Sequence, residues 1–217
     1  MNETQESWDN TVGSCANSYM ELTERQRAII IGSLLGDGTI ESRWANPRLR
    51  FGHGAQQKEY LFWKYEELKN VVNRPPRLAH EWHTVMGKVY DSWHFSTRSF
   101  PELKEYYDYF YQDGRKKIPE YIQRLLIQPL SLAVWLMDDG YKRNDCNAIR
   151  LNTDAFSDND QRRLIDAMRK NFGVQANLHR KGIYRNLYIP VKSAKHFVEL
   201  ASPYVISDMK YKIALAP

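Results

Sequence analysis

No apolar run in this sequence is long enough to cross a bilayer. The two longest, around Ala28 to Leu35 and Leu130 to Met137, fall far short of the roughly 20 residues a helical span requires, and a soluble chain is expected. Cysteine is almost missing: Cys15 and Cys146 are too few for a zinc cluster without histidines at matching spacing, and reduced, unpaired thiols are the expectation. Residues 1–22 hold no Lys or Arg. The opening Met1-Asn2-Glu3-Thr4-Gln5-Glu6 is neither a secretion signal nor an Arg-rich transit peptide, so no address is readable. No nucleotide-type phosphate-binding glycine loop occurs. His80-Glu81-Trp82-His83 lacks the helical spacing of a metalloprotease motif and sits in a strand-like stretch.

What is present suits a globular protein. With 42% apolar and 26% charged residues among 217, the chain can bury a core as one medium domain or as two lobes of roughly 100 residues. Net charge is +5; because residues 1–22 carry four acids and no base, the remainder carries +9. A basic balance with many Arg, Tyr and Trp points to a polyanionic partner.

Residues 1–22 read as an N-terminal extension. Thr23 and Gln26 then form a capping box ahead of a helix that is apolar nearly all round and is closed by Gly36 and Gly38. Such a helix must be buried against another, and Gly32 with Gly36 permits close backbone approach. Strand patterns follow at 47–51, 77–83 and 89–96, with helical ones at 57–72 and 100–111. The Tyr106 to Tyr111 run reads as core plus amphipathic surface. The order then recurs: an apolar helix at 130–139 closed by Gly140, a strand at 148–152, a helix at 158–172, strands at 176–179 and 183–190, and a helix at 193–200. Asp37 and Asp139 lie 102 residues apart, Arg50 and Arg150 100, Val89 and Ile183 94. Near-constant offsets predict an α+β molecule of two pseudo-twofold halves, 23–125 and 126–217, with the first helix of each packed across the axis.

Each apolar helix ends in acid followed by glycine: Gly36-Asp37-Gly38 and Asp138-Asp139-Gly140. A helix C-terminus already carries about half a negative charge, so acids there call for a nearby cation. Two carboxylates converging at the axis repel, and a divalent ion resolves the repulsion. Oxygen-only ligands favour Mg²⁺ or a similar hard ion over zinc.

The segments Ile30-Ile31-Gly32-Ser33-Leu34-Leu35-Gly36-Asp37-Gly38 and Leu132-Ala133-Val134-Trp135-Leu136-Met137-Asp138-Asp139-Gly140 both resemble the LAGLIDADG motif of the homing endonucleases. Over about residues 23–215 the chain is most similar to the single-chain, two-motif, intron-encoded type. Lys116-Lys117-Ile118-Pro119, Pro129-Leu130-Ser131-Leu132, Leu151-Asn152-Thr153 and Tyr211-Lys212 add to the likeness. The resemblance implies a monomer of two αββαββα lobes, each laying a curved antiparallel sheet along the DNA major groove, with the motif helices as their interface. It implies that Asp37 and Asp139 hold divalent metal, Mg²⁺ first, with Mn²⁺ able to replace it and Ca²⁺ a non-catalytic substitute. The expected outcome is a double-strand break with 3′ overhangs in a long double-stranded DNA target, and the expected location is a bacterial cytoplasm or an organelle whose genome carries the intron. Gly36 and Asp138 are further metal candidates; Val134 and Asp138 depart from the usual small residues, which makes the helix interface asymmetric and leaves the role of Asp138 open.

Lys116 and Lys212 match positions where the family keeps a lysine near the metal, and such a lysine can stabilise phosphate charge or order water; Lys117 competes with Lys116. For DNA recognition, strand-associated residues are the candidates: Arg43, Arg48, Arg50, His53, Arg77, His80, Trp82 and Lys88 in the first half, and Lys142, Arg143, Arg150, Asn152, His179, Lys181 and Arg185 in the second. Arg reads guanine and Asn reads adenine, while most other cations meet phosphates. Two other functions compete: an RNA maturase acting on the host intron RNA, and an aspartic hydrolase with Asp37 and Asp139 as a proton-sharing dyad. The positive balance argues against the latter.

Overall fold

The computed structural model describes residues 21–42, 47–182 and 184–214; Arg43, Cys15 and the expected extension up to residue 20 lie outside them. The Thr23 capping box forms, with Gln26 N–H donating to Thr23 Oγ1 and Thr23 N–H to Gln26 Oε1, a device that contributes about 1 kcal/mol. It opens α1 (Glu24–Leu35), in which every residue from Ala28 to Leu35 is buried. After it come β1 (Thr39–Glu41), β2 (Arg48–Gly54), α2 (Lys58–Glu67), β3 (Arg77–His83), β4 (Lys88–Ser96) and α3 (Glu102–Phe110). A small hairpin, β5 (Tyr111–Gln112) with β6 (Arg115–Lys116), and a single helical turn, α4 (Ile122–Leu125), lead to the second half. There α5 (Pro129–Asp139), β7 (Gly140–Lys142), β8 (Ile149–Leu151), α6 (Asp158–Phe172), β9 (Asn177–Lys181), β10 (Tyr184–Ile189) and α7 (Val191–Ala201) repeat the order of the first.

The two antiparallel sheets run β1-β2-β4-β3 and β7-β8-β10-β9, the same order in each lobe. Their registers agree as well: Thr39 faces Arg50 and Tyr141 faces Arg150. The expected αββαββα repeat is therefore present. The three-residue strands β1 and β7 escape a periodicity reading because they start within two residues of the Asp-Gly pairs and are too short to alternate. Helix α2 stops at Glu67, short of the expected residue 72, and a 3₁₀ turn, Lys69–Val71, follows. Between the lobes, α4 packs on α6, where Asn171 Nδ2 donates to the carbonyls of Gln123 and Leu126. A division at 125/126 assigns α4 to the first lobe, and its packing on α6 then joins the two halves.

Helices α1 and α5 pack side by side through an unequal seam. A Cβ on Gly32 would stand 2.6 Å from the Ser131 carbonyl and 2.7 Å from Val134 Cβ; one on Gly36 would stand 2.4 Å from Asp138 Cβ. Glycine in α1 thus receives the larger residues of α5, the asymmetry expected from Val134 and Asp138. Ser131 Oγ donates to the Ala28 carbonyl (2.9 Å), tying α5 to α1, and Tyr60 Oη donates to that of Val134 (3.1 Å), tying α2 to α5; all four residues are buried.

Candidate metal and nucleic-acid site

The seam delivers the ends of both motif helices to one place. Gly36 caps α1, its N–H reaching the Gly32 and Ser33 carbonyls, and Asp37 follows, half-exposed. Asp139 is the last residue of α5, and its carbonyl accepts the Asn152 N–H at 3.0 Å, which fixes the helix end to the edge of the second sheet. Burial, and next the Asp138 carboxylate, raise the pKa of Asp37. Asp139 is pushed up to about 7 by burial, then by the charges of Asp37 and Asp138. The acids thus repel one another across the lobe boundary, as their placement predicted.

Lysines from equivalent places close the site. Lys116, at the end of β6, donates from Nζ to the Gly36 carbonyl at 2.8 Å. Lys212 Nζ donates to the carbonyls of Leu136 (3.3 Å), Met137 (2.5 Å) and Asp138 (3.3 Å). Each lysine therefore caps the C-terminus of its own lobe's motif helix, countering the dipole there. Burial lowers both pKa values, that of Lys116 to about 8. Lys117 turns instead to Gln112 Oε1 (3.4 Å), which separates it from the acids and leaves Lys116 as the lysine beside them.

Behind Asp37 lies a network that the sequence reading missed. Lys64, on α2, reaches across the seam so that its Nζ donates to Asp138 Oδ1 at 2.6 Å, with both side chains wholly buried. The same ammonium stands 3.3 Å from His53 Nε2 and over the Tyr60 ring. His53 Nδ1 lies 3.6 Å from Asp37 Oδ2; burial, and secondly the Lys64 charge, push the imidazole pKa down to about 4. A signal was available: Tyr60, Lys64 and Leu68 share helical spacing on the buried face of α2, and a lysine there needs an internal acid.

Asp37, His53 and Asp138 present metal-ligand atoms within 4.8 Å of one another. The Lys64 ammonium already provides the cation between His53 and Asp138. Asp138 Oδ2 is buried and has no hydrogen-bond partner among the described residues. The donors around the two helix ends are carboxylate and carbonyl oxygens, and Asp139 stays near pH 7 in spite of two neighbouring ammonium groups. This acid excess, with oxygen donors, fits a hard divalent cation.

Strand register sorts the recognition candidates, because residues directly opposed across an antiparallel pair share a face. On β2, Leu49, Phe51 and His53 are buried while Arg48 and Arg50 are exposed. Arg77 opposes His94, which opposes Gly52, so Arg77 lies on the face of Arg48 and Arg50. Lys88 falls on that face by the same alternation. These arginines, with Arg74 and His94, line one hollow over the sheet; Arg74 was not among the sequence candidates. Glu41 organises two of them: its Oε2 accepts from Arg48 Nε and Nη2 (2.8 and 2.7 Å) and its Oε1 from Arg50 Nη1 (3.3 Å).

Three first-half candidates lie on the other side of their sheet. His53 points into the helix layer and the acid site. His80 opposes Asp91, to which it bonds at 2.7 Å, and Trp82 opposes Val89; by alternation both belong to the His53 side, on the part of the hairpin where Trp82 is 62% exposed. In the second sheet, Arg150, His179 and Tyr188 share the uncovered face, with Arg150 Nη2 2.7 Å from His179 Nδ1. Lys142 pairs with Ile149, on the helix side. Arg185 also falls there and bonds Asp158, the first residue of α6, at 2.6 Å. Arg143 lies beyond β7, with Nε donating to Asp145 Oδ1 (2.7 Å). Asn152 follows β8 and accepts from Asn186 Nδ2 (3.4 Å). The backbone of Lys181 closes β9 opposite Tyr184. Alternation within a strand was readable from the sequence; which alternate set faces the helices required the pairing.

Comparison with known proteins agrees with this geometry. The family model of the LAGLIDADG DNA endonucleases matches residues 27–197. DNA endonuclease I-ChuI of Chlamydomonas applanata is 31% identical over 213 residues, covering 90% of this chain and 97% of that protein. Cytochrome b mRNA maturase bI2 of Debaryomyces hansenii is 28% identical over 91% of this chain and 76% of its own length. The solved structure of the homing endonuclease I-WcaI bound to its DNA recognition sequence superposes with a TM-score of 0.85 at 25% identity, covering 95% of this chain and 97% of that one. The repeat, the paired acidic helix ends and these matches lead to one assignment: the chain belongs to the LAGLIDADG DNA endonuclease family.

Proposed function

We propose that this protein is a site-specific endonuclease that cuts both strands of a long double-stranded DNA target, using divalent metal, Mg²⁺ by preference, at Asp37 and Asp139. The observation that carries this reading is the meeting of two acidic helix ends, each with its own lysine, between two sheets whose uncovered faces carry Arg48, Arg50, Arg77 and Arg150. Arginines on those faces suit phosphates and guanine edges. Asp37 and Asp139 hold the metal, with the Gly36 and Asp138 carbonyls beside them. When bound there, a divalent ion would supply polarisation of the phosphodiester and a lowered pKa for the attacking water. Lys116 and Lys212 place their Nζ groups at the two helix ends, where phosphate charge grows. Mn²⁺ can take the place of Mg²⁺, and Ca²⁺ supports binding without cutting. The reading treats the protein as a monomer of a first lobe near 23–125 and a second near 126–217.

The test is selection of cleaved molecules from a randomised duplex library, followed by cutting of the recovered site in Mg²⁺ and in chelator. Asp37→Asn and Asp139→Asn should bind within a few-fold of wild type and each lose at least one strand scission. Full double-strand cutting by either variant, or cutting in chelator, refutes the assignment. The maturase relative supports a second reading, assistance to splicing of an intron RNA. A protein that accelerates splicing of such an RNA and cuts no recovered duplex would favour it.

A further inference from the structure

The two acids differ in what stands behind them. His53 lies in the first lobe with its side chain 1% exposed; on the Nε2 side stand the Lys64 ammonium within hydrogen-bond distance (3.3 Å) and, beyond it, Asp138 Oδ1 (3.6 Å), and on the Nδ1 side the Asp37 carboxylate (3.6 Å). Gln57 bonds the same ring and Tyr60 packs against it with centroids 4.9 Å apart, so its plane is fixed. An ammonium group has donors only, so Nε2 must accept from Lys64, and the ring proton is left on Nδ1, facing Asp37. A doubly protonated ring would bury a second cation 3.3 Å from the first, which the interior disfavours.

Among the described residues the second lobe has no counterpart. With Arg50 and Arg150 equivalent by register, the place of His53 is taken by Thr153, whose Oγ1 is used by Gln161 (2.8 Å) and by the Leu187 N–H (3.2 Å). With α2 and α6 starting at Lys58 and Asp158, the place of Lys64 is taken by Leu164, wholly buried. Among the described residues, Asp139 has the helix-end lysine Lys212 beside it, as Asp37 has Lys116, but no second pair like His53 and Lys64 behind the carboxylate.

We infer that His53 is a positioning residue for Asp37, locked as the Nδ1–H tautomer by Lys64, and that this one-sided support makes the two strand scissions unequal. The consequence for scission rests on the proposed nuclease function; the tautomer does not. Two substitutions divide the ring's contacts. His53→Asn keeps a donor near the Nδ1 position and gives up the Lys64 contact, while His53→Gln keeps an acceptor for Lys64 and gives up the donor toward Asp37.

Two measurements test the inference. In metal-free protein labelled with ¹⁵N-histidine, two-bond ¹H–¹⁵N correlations should show His53 protonated on Nδ1 and bare on Nε2. On an end-labelled duplex, Asp37→Asn identifies the strand that Asp37 serves; His53→Gln should slow that strand about tenfold or more, the usual scale for outer ligand-orienting groups, and the other strand less than about threefold, so that nicked DNA accumulates. His53→Asn should retain most of the lost rate. An Nε2–H tautomer, equal slowing of both strands, or better rescue by Gln than by Asn overturns the inference. Failure of the wild type to cut any duplex would refute the nuclease reading, and the tautomer measurement on unaltered protein would still decide the role of His53.

Discussion

Replacing Lys64 by methionine tests the least expected feature of the fold. The change keeps an unbranched apolar side chain as far as Cε and removes the ammonium, leaving Asp138 as a buried carboxylate whose Oδ1 has lost its 2.6 Å partner and whose Oδ2 already has none among the described residues. Breaking a buried pair in this way costs about 3–5 kcal/mol, because the remaining charge is stranded in a poorly polarisable interior. At about 2–4 °C per kcal/mol for a chain of this size, the melting temperature should fall by about 6–20 °C. Asp138→Ala should restore most of the loss when combined with Lys64→Met, since no unpaired charge remains, and the short alanine fits against Gly36. The assay is a double-mutant cycle by urea unfolding in chelator, at low and at high salt. Because both side chains are wholly buried, the coupling should be nearly independent of salt. A loss below about 1 kcal/mol for Lys64→Met, the scale of a surface pair, or losses that simply add in the double variant, would refute the reasoning.

Two more outcomes are expected. Asp139 has a folded pKa near 7 against an ordinary 3.8, so the folded state holds this proton more tightly than the unfolded chain does, and the associated stability is complete below about pH 4 and lost as pH rises through 7. Asp139→Asn should therefore raise the metal-free melting temperature by a few degrees at pH 8 and leave it nearly unchanged at pH 4; an equal gain at both would sink the assignment of burial and repulsion as the cause. The face assignment predicts that Arg50→Ala or Arg150→Ala weakens DNA binding by about 1–3 kcal/mol, whereas Arg185→Ala stays within about twofold in fluorescence anisotropy, and the reverse order would show that the uncovered faces are not the DNA surface.

The acid site was largely legible before any coordinates. Asp37 and Asp139 stand out because acid at a helix C-terminus is electrostatically unfavourable, and two copies in register mark a place where a cation is wanted. Lys116 and Lys212 were matched through the family resemblance, with agreeing distances from their acids, and only the turn of Lys117 toward Gln112 separated the neighbouring lysines. Recognition residues were read less well. His53, His80, Trp82, Lys142 and Arg185 have suitable chemistry and strand positions, yet all fall on the helix side of their sheets, because a side chain's face depends on which partner strand its backbone meets.

Local spacing was sufficient for the two apolar helices, their acidic ends and the recurrence of the two halves, since capping, helical periodicity and glycine punctuation act within a few residues of one another; the full αββαββα order came from the family resemblance, because β1 and β7 are too short to alternate. The tertiary structure alone decided that Lys64 would cross to Asp138, that His53 would turn inward to Asp37, and that one half-site would be braced differently from the other. Those contacts join residues 53, 64 and 138, whose sequence separation leaves no periodic trace; they exist because a buried charge must find its partner wherever folding brings one.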